Sequence, residues 1–149
     1  MKFLDSIMTG IAKAEAADQN IKSVTAVFSE LNAVLSDYTG GKLKITRKMS
    51  MNSRIAAIGA KISDSSASEY TRSDVITLSS KVDNKNYAEV AKWRQHVNGF
   101  PCTLNFEGRE YMCDSTDDLK AALSELLSSV SFGKTLSGAM QETSNGPSA

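Results

Sequence analysis

The sequence predicts an α+β fold: N-terminal helices, a mostly antiparallel sheet of about five strands interrupted by a helix, and a C-terminal helix packed on the sheet. Three observations lead to it. Apolar residues recur at helical spacing in the first forty positions. Short segments in the middle of the chain alternate apolar and polar residues, as strands do. The last apolar segment is helical again and begins with a capping sequence.

Two apolar stripes with helical spacing divide the N-terminal segment. Asp18 or Asn20 is suited to cap a second helix between them. One continuous helix is the alternative, but a coiled-coil seam along it would have to accept Asp18 and slip in register at Val24. We therefore favour two helices packed on the domain over a coiled-coil dimer. The stripes are Phe3, Leu4, Ile7, Met8 and Ile11, then Ile21, Val24, Val27, Phe28, Leu31, Val34, Leu35 and Tyr38.

Gly40 and Gly41 stand between the last predicted turn of helix and a strand. A phosphate-binding loop needs the opposite order, in which a strand leads into a helix N-terminus. We therefore predict a left-handed glycine cap. The strand that follows has one strongly cationic face, because its cations alternate with apolar residues. Lys42, Lys44 and Lys48 face one way, and Leu43, Ile45 and Arg47 face the other.

Four segments follow before the first proline. Arg54–Ile62 fits a strand or a helix, and Gly59 and the isoleucines favour the strand. The serine-rich segment Ser63–Asp74 is typical of an exposed loop. Val75–Val82 alternates as a strand, and Asp83–Gly99 is predicted to be a short helix that ends at its glycine.

The clearest local signal is a β-hairpin between Cys102 and Cys113. A two-residue turn at Glu107-Gly108 pairs Phe106 with Arg109, Leu104 with Tyr111, and the two cysteines with each other. The cysteines then share the core face with Leu104, Phe106 and Tyr111. Thr103, Asn105, Glu110 and Met112 occupy the other face.

The segment Ser115–Val130 is predicted to be an amphipathic helix. Ser115 and Asp118 resemble a capping box, and the acidic pair Asp117-Asp118 suits the positive end of the helix dipole. One or two further helical turns are expected near residues 134–142. A single domain over residues 1–142 and a flexible tail at 143–149 complete the expected organisation.

No catalytic, metal or cofactor motif stands out. Cys102 and Cys113 are interpreted as buried thiols, although their pairing would permit a disulfide. One histidine, His96, cannot complete a zinc site with two cysteines that lack Cys-x-x-Cys spacing. His96 is expected to cap a helix C-terminus. A small enzyme that uses His96 with one of the cysteines is the less favoured alternative.

Charge is distributed unevenly along a chain with no net charge. Residues 1–40 carry three cations and five anions, a net of −2. Residues 41–98 carry eleven and five, a net of +6, and residues 99–149 carry three and seven, a net of −4. The segments could neutralise one another on folding. The alternative is a cationic surface for an anionic partner.

This surface is the basis of the functional prediction: a small non-enzymatic binding or regulatory protein that engages an acidic macromolecule or anionic ligand. Nonspecific nucleic-acid binding by the same surface is the second hypothesis, since phosphate neutralisation with aromatic stacking is how such proteins work. The pI near 6.6 weighs against it. The candidate binding residues are Lys42, Lys44, Lys48, Arg54, Lys92, Trp93 and Arg94.

No apolar run is long enough to cross a membrane, so no membrane role is expected. The start of the chain resembles a signal peptide only faintly, because Asp5 and Ser6 interrupt its apolar run. A cytoplasmic protein without cofactors is predicted. The general character of the chain, rather than any motif, indicates a bacterial or phage source. Self-association through the amphipathic N-terminal helices is a further hypothesis.

Overall fold

The computed structural model describes residues 2–49 and 70–144. Their elements follow in chain order: helix α1 (Phe3–Thr39), strands β1 (Leu43–Met49), β2 (Tyr70–Ser80), β3 (Asn86–His96), β4 (Cys102–Phe106) and β5 (Arg109–Cys113), then helices α2 (Thr116–Leu127) and α3 (Val130–Ser144).

The five strands form one antiparallel sheet in the order β1-β2-β3-β4-β5. The three helices pack on one another and on one face, called here the inner face. The other face is called the outer face. The predicted α+β class is confirmed. No described helix is both long enough and apolar enough to span a membrane.

The core lies between the inner face and the helices. Its largest wholly buried side chain is Trp93, whose ring meets the Phe28 ring edge-on at a centroid distance of 5.2 Å. Arg47 places its guanidinium carbon 4.3 Å from the Phe28 ring centre and 5.7 Å from that of Trp93. Arg47 thus faces inward, as its position in the strand pattern predicts.

Edge strand β1 is covered by α1. Asn32 accepts a hydrogen bond from the Ile45 N–H at 2.7 Å and donates one to the Ile45 carbonyl at 3.0 Å. The Asn32 amide therefore occupies the outward backbone groups of Ile45, so another strand could not pair with β1 at that residue.

The N-terminal segment is one helix, not the two that were predicted. Asn20 does not cap a second helix; its side chain donates to the Asn98 carbonyl in the β3–β4 turn at 3.0 Å. No glycine or proline between the two stripes interrupts the helical backbone. The helix ends at Gly40 in the left-handed conformation (φ 66°), as predicted.

The first half of α1 projects from the body. Residues 3–16 are all exposed, and the first buried residue of the helix is Val24. The apolar stripe of this half, Phe3 to Ile11, therefore packs against no other described part of the chain.

The predicted helix Asp83–Gly99 is wrong, because this segment forms strand β3. Two of the three irregularities in the β2–β3 pairing interrupt the alternation here, between Ile76 and Thr77 and between Leu78 and Ser79. Opposite them, the apolar residues Tyr87, Val90 and Ala91 have a spacing that imitates a helix. Pairing with β2 on one side and β4 on the other outweighs the helix propensity of the Ala, Glu, Lys and Gln residues in this segment.

The C-terminal predictions are largely confirmed. The hairpin has the predicted register, with Cys102 opposite Cys113 and the turn at Glu107-Gly108. Ser115 caps α2 by accepting the Asp118 N–H at 3.2 Å. The expected one or two turns near the end are a 15-residue helix, α3.

Two other predictions need comment. Strand β2 begins at Tyr70, inside the segment predicted to be a loop. The predicted strand Arg54–Ile62 and the end of the predicted tail, residues 145–149, lie outside the described residues.

Candidate functional site

The candidate site is a set of cations on the outer face of the sheet. Lys48 lies opposite Val75, and Val75 lies opposite Lys92, so these three residues form a row across β1, β2 and β3. Lys44 and Arg94 are on the same face, because they stand an even number of residues from Lys48 and Lys92 in their strands. Lys44, Lys48, Lys92 and Arg94 are called here the basic face.

The two β1 lysines are held by asparagine side chains. Lys44 Nζ donates to Asn84 Oδ1 at 2.8 Å, and Lys48 Nζ donates to Asn86 Oδ1 at 2.6 Å. Asn86 Oδ1 also accepts the Ser79 hydroxyl at 3.0 Å. These acceptors are neutral, so they fix the direction of the ammonium groups without cancelling their charge.

Carboxylates stand near the basic face without pairing with its lysines. Glu89 lies opposite Thr77, in the row next to that of Lys48, Val75 and Lys92. Glu110 of β5 is two strands away from Lys92, with Asn105 of β4 between them. Within residues 2–49 and 70–144, Lys44, Lys48 and Lys92 form no ion pair. The salt bridges found in this part of the chain involve other lysines: Lys85, just before β3, pairs with Glu142 of α3 at 2.6 Å, and Lys120 of α2 pairs with Glu30 of α1 at 3.2 Å.

The other predicted binding residues lie elsewhere. Lys42 is exposed just before β1, beside the basic face in sequence. Arg54 is outside the described residues. Trp93 is wholly buried on the inner face, so it cannot stack on a partner, and Tyr87 is half-buried against the core. Trp93 points away from Lys92 and Arg94 because successive side chains of a strand alternate between faces.

Asn84 and Asn86 were not predicted as site residues. Their signal in the sequence is the run Asp-Asn-Lys-Asn, which is typical of a turn. Asn84 has the positive φ of 58° that asparagine tolerates in turns. Which lysines these amides would meet depends on the pairing of β1 with β2, and residues 44 and 84 are too far apart in sequence for a local pattern to show it.

The cysteine and histidine side chains do not assemble into a catalytic pair. Cys102 is buried on the inner face, opposite Gln95 of β3. His96 follows Gln95 in β3 and therefore points to the outer face. The predicted helix cap is also wrong, since His96 ends strand β3. Its Nδ1 accepts the Asn98 N–H at 3.1 Å within the β3–β4 turn. Because His96 points to the outer face and accepts a hydrogen bond within the turn, it cannot act as a base toward Cys102 on the inner face.

Both cysteines are buried free thiols, as predicted. Burial, with a smaller contribution from the nearby Cys113, raises the pKa of Cys102 to about 12, although the positive charge of Arg47 acts to lower it. Burial also raises the pKa of Cys113 to about 11, with smaller contributions from Asp118 and Asp114. The thiolate is the reactive form, so both groups are unreactive near neutral pH.

Thiol labelling checks this assignment. At pH 7 we expect the native protein to react with a maleimide at least about 100-fold more slowly than the urea-unfolded chain, since each unit of raised pKa lowers the thiolate fraction about tenfold. The unfolded chain is the control for reagent and stoichiometry. Equal labelling rates would refute buried thiols.

The raised pKa values of the two thiols also predict how the free energy of unfolding depends on pH. The thiols should leave it unchanged below about pH 8.5 and lower it as pH rises toward 11–12, because only the thiols of the unfolded chain ionise in that range.

The described residues contain no group of three or more His, Cys, Asp or Glu side chains arranged to hold a metal ion. A groove of about 380 Å³ lies between the three helices, on the side of the sheet opposite the basic face.

Comparison with known proteins gives no assignment. No family model matches the chain. Neither the curated proteins nor the solved structures contain a significant match. Any conclusion about function therefore depends on the arrangement of the chain's own residues.

Proposed function

We propose that this chain is a non-enzymatic binding protein, such as a regulator, inhibitor or assembly factor, that engages an acidic protein partner through the basic face. The observation that carries the proposal is the row from Lys48 through Val75 to Lys92. It joins cations from two strands that are 44 residues apart in sequence onto one surface of the sheet.

The spacing of the charges suits an extended acidic surface. Two strand separations place Lys48 and Lys92 about 10 Å apart, and four residues along β1 place Lys44 and Lys48 about 13 Å apart. The sheet fixes these positions, and Asn84 and Asn86 fix two of the ammonium groups. A fixed pattern of charge loses less side-chain entropy on binding than a flexible one.

An acidic protein surface is favoured over single-stranded nucleic acid. Sequence-tolerant binding of single strands combines phosphate contacts with exposed aromatic rings on which bases stack. Trp93, the ring expected to stack, is in the core, so none of the four residues of the basic face supplies an aromatic ring. The cations of the basic face could still contact phosphates, so nucleic acid is the second candidate.

Reversing two charges tests the proposal. The variant Lys48→Glu/Lys92→Glu should bind poly-L-glutamate at least about tenfold more weakly than the wild type at low salt, because each exposed attraction of up to about 1 kcal/mol becomes a repulsion. Fluorescence anisotropy with a labelled polymer measures the affinity. The wild-type affinity should fall as salt is added, since the charges are exposed.

The matched control is Lys13→Glu/Lys134→Glu, which makes the same change of net charge at exposed positions on α1 and α3. It should change the affinity less than threefold. Equal losses in both double variants would show that net charge, and not the basic face, controls binding. A labelled single-stranded DNA of 30 nucleotides in the same assay separates the second candidate: tighter binding to DNA than to the acidic polymer at matched charge would favour nucleic acid.

A further inference from the structure

Strand β5 forms the second edge of the sheet and pairs with β4 alone. Beside a two-residue turn, the first residue pair of an antiparallel hairpin exchanges both backbone hydrogen bonds, and every second pair along the ladder does the same. In β5 these bonded residues are Arg109, Tyr111 and Cys113. The N–H and C=O groups of Glu110 and Met112 therefore point away from β4, toward the open side of the sheet.

The outward groups of Glu110 and Met112 make no hydrogen bond within residues 2–49 and 70–144. Both residues are exposed, Met112 by 61%. The opposite edge differs, because on β1 the Asn32 amide already occupies the outward groups of Ile45. The sheet therefore offers its β5 edge for pairing with a further strand.

Helix α2 stands beside this edge, and a groove of about 390 Å³ separates it from β5. The helix contributes Asp118, Ala121, Ala122 and Glu125, which lie on one side of α2 because they are three and four residues apart. The two alanines are small and leave room between the helix and the strand. An extended segment that pairs with β5 would direct every second side chain into this space.

The groove carries negative charge on both of its walls. Glu110 lies on the strand side, Asp118 and Glu125 lie on the helix side, and all three are exposed. No lysine or arginine of the described chain lines the groove, since Arg109 lines the neighbouring cleft instead. The salt bridges found among the described residues do not include these carboxylates. The groove therefore attracts a cationic segment and repels an anionic one.

We propose that an extended segment of another protein, rich in lysine or arginine, adds to β5 as a sixth strand and lies in the groove beside α2. Main-chain hydrogen bonds to Glu110 and Met112 fix its register, and its cationic side chains meet the carboxylates of the two walls. Two residues with one donor and one acceptor each allow four such hydrogen bonds, so the affinity of a short isolated peptide is modest.

A second copy of this chain fits the groove less well than a basic segment. Pairing of β5 with β5 would bring two Glu110 side chains and two acidic helix walls together, and like charges on neighbouring strands destabilise a sheet. Strand β1 is cationic, but Asn32 bonds both outward backbone groups of Ile45 at its edge. The occupant is therefore a segment of a different protein.

A peptide of about six alternating lysine and valine residues tests the proposal, with NMR spectroscopy of the isotope-labelled full chain as the readout. At saturating peptide the amide signals of Glu110 and Met112 should shift, and their hydrogen exchange should slow at least about threefold, because both N–H groups become ladder donors. A peptide of alternating glutamate and valine should give no saturable shift. Shifts that leave Glu110 and Met112 unaffected, or no saturable binding of the basic peptide, would overturn the proposal.

The same basic peptide with every backbone nitrogen methylated separates strand addition from simple charge attraction. It keeps the cationic side chains but has no N–H group to donate to β5, so its affinity should fall at least about tenfold. Equal binding of the methylated peptide would show that no strand is added. Because this change is made in the peptide, the fold of the protein is not affected.

Charge reversal locates the site on the protein. Glu110→Lys/Glu125→Lys should weaken binding of the basic peptide at least about tenfold, because two attractions become repulsions at exposed positions. Glu15→Lys/Asp18→Lys makes the same change of net charge at exposed positions of α1 and should alter the affinity less than threefold. Equal losses in both double variants would overturn the proposal. The basic face takes no part in this binding, so a failure here leaves the test with the acidic polymer unchanged.

Discussion

Replacing Gly99 by alanine is expected to lower the free energy of unfolding by about 3 kcal/mol or more. Gly99 has a φ of 90°, which costs other residues roughly 1–3 kcal/mol. A Cβ at this position would also lie 2.4 Å from the Asn20 Cβ and 2.9 Å from the Ile21 nitrogen. The second group is helix backbone and cannot turn aside, so the β3–β4 turn would have to move away from α1 at a further cost of about 1–3 kcal/mol.

Gly108→Ala is the matched control for this substitution. Gly108 has a φ of 75°, but a Cβ there meets nothing within 4 Å. It therefore carries the backbone strain without the collision, and about 1–2 kcal/mol is expected. Urea unfolding of both variants measures the difference. Equal losses would mean that the turn does not press on α1 as closely as the structure has it.

Trp93→Ala should be the most destabilising large-to-small change in the core, at about 3–5 kcal/mol. The side chain is wholly buried, packs edge-on against Phe28, and forms part of the aromatic contact with the Arg47 guanidinium. Its removal leaves a cavity in the centre of the inner face and deprives Arg47 of one ring.

The variant Trp93→Phe measures how much of this loss comes from packing volume. Among the described residues the indole N–H has no hydrogen-bond partner, so phenylalanine loses volume but no bond, and the cost should be clearly smaller than that of alanine. Met112→Ala, at an exposed position on the outer face, is the surface control and should stay within about 0.5 kcal/mol. Chemical denaturation measures all three. If Trp93→Ala cost no more than Met112→Ala, the indole would not be a core residue.

The parts of the fold that the sequence predicts well are those set by neighbouring residues. The hairpin register follows from one turn, Glu107-Gly108, and from alternation on both sides of it. The cap of α2 follows from Ser115 and Asp118. In both cases the interacting groups are a few residues apart in sequence, so the local residue pattern is enough to predict how they are arranged.

Strand β3 could not be predicted in this way, because its irregular pairing with β2 hides the alternation of its residues. That error carried through to the site. If the segment Asp83–Gly99 were a helix, Trp93 would lie near the cations. Because it is a strand, Trp93 points to the inner face and Lys92 to the outer face. The basic face was thus half predictable: Lys44 and Lys48 share a face by their spacing, whereas Lys92 joins them through a sheet order that no short segment encodes.

The projecting end of α1 has a consequence for how the molecule fluctuates. Since no side chain of residues 3–16 is buried, tertiary packing contributes nothing to their helical state, and a helical segment of this length is marginal in water on its own. These turns should melt and re-form within about a microsecond, and the melting should stop near Asn20, where the amide is tethered to the Asn98 carbonyl. The part of α1 after Asn20 thus stays helical, whereas residues 3–16 unfold and refold reversibly. Any partner that binds residues 3–16 as a helix must offset the free-energy cost of ordering them.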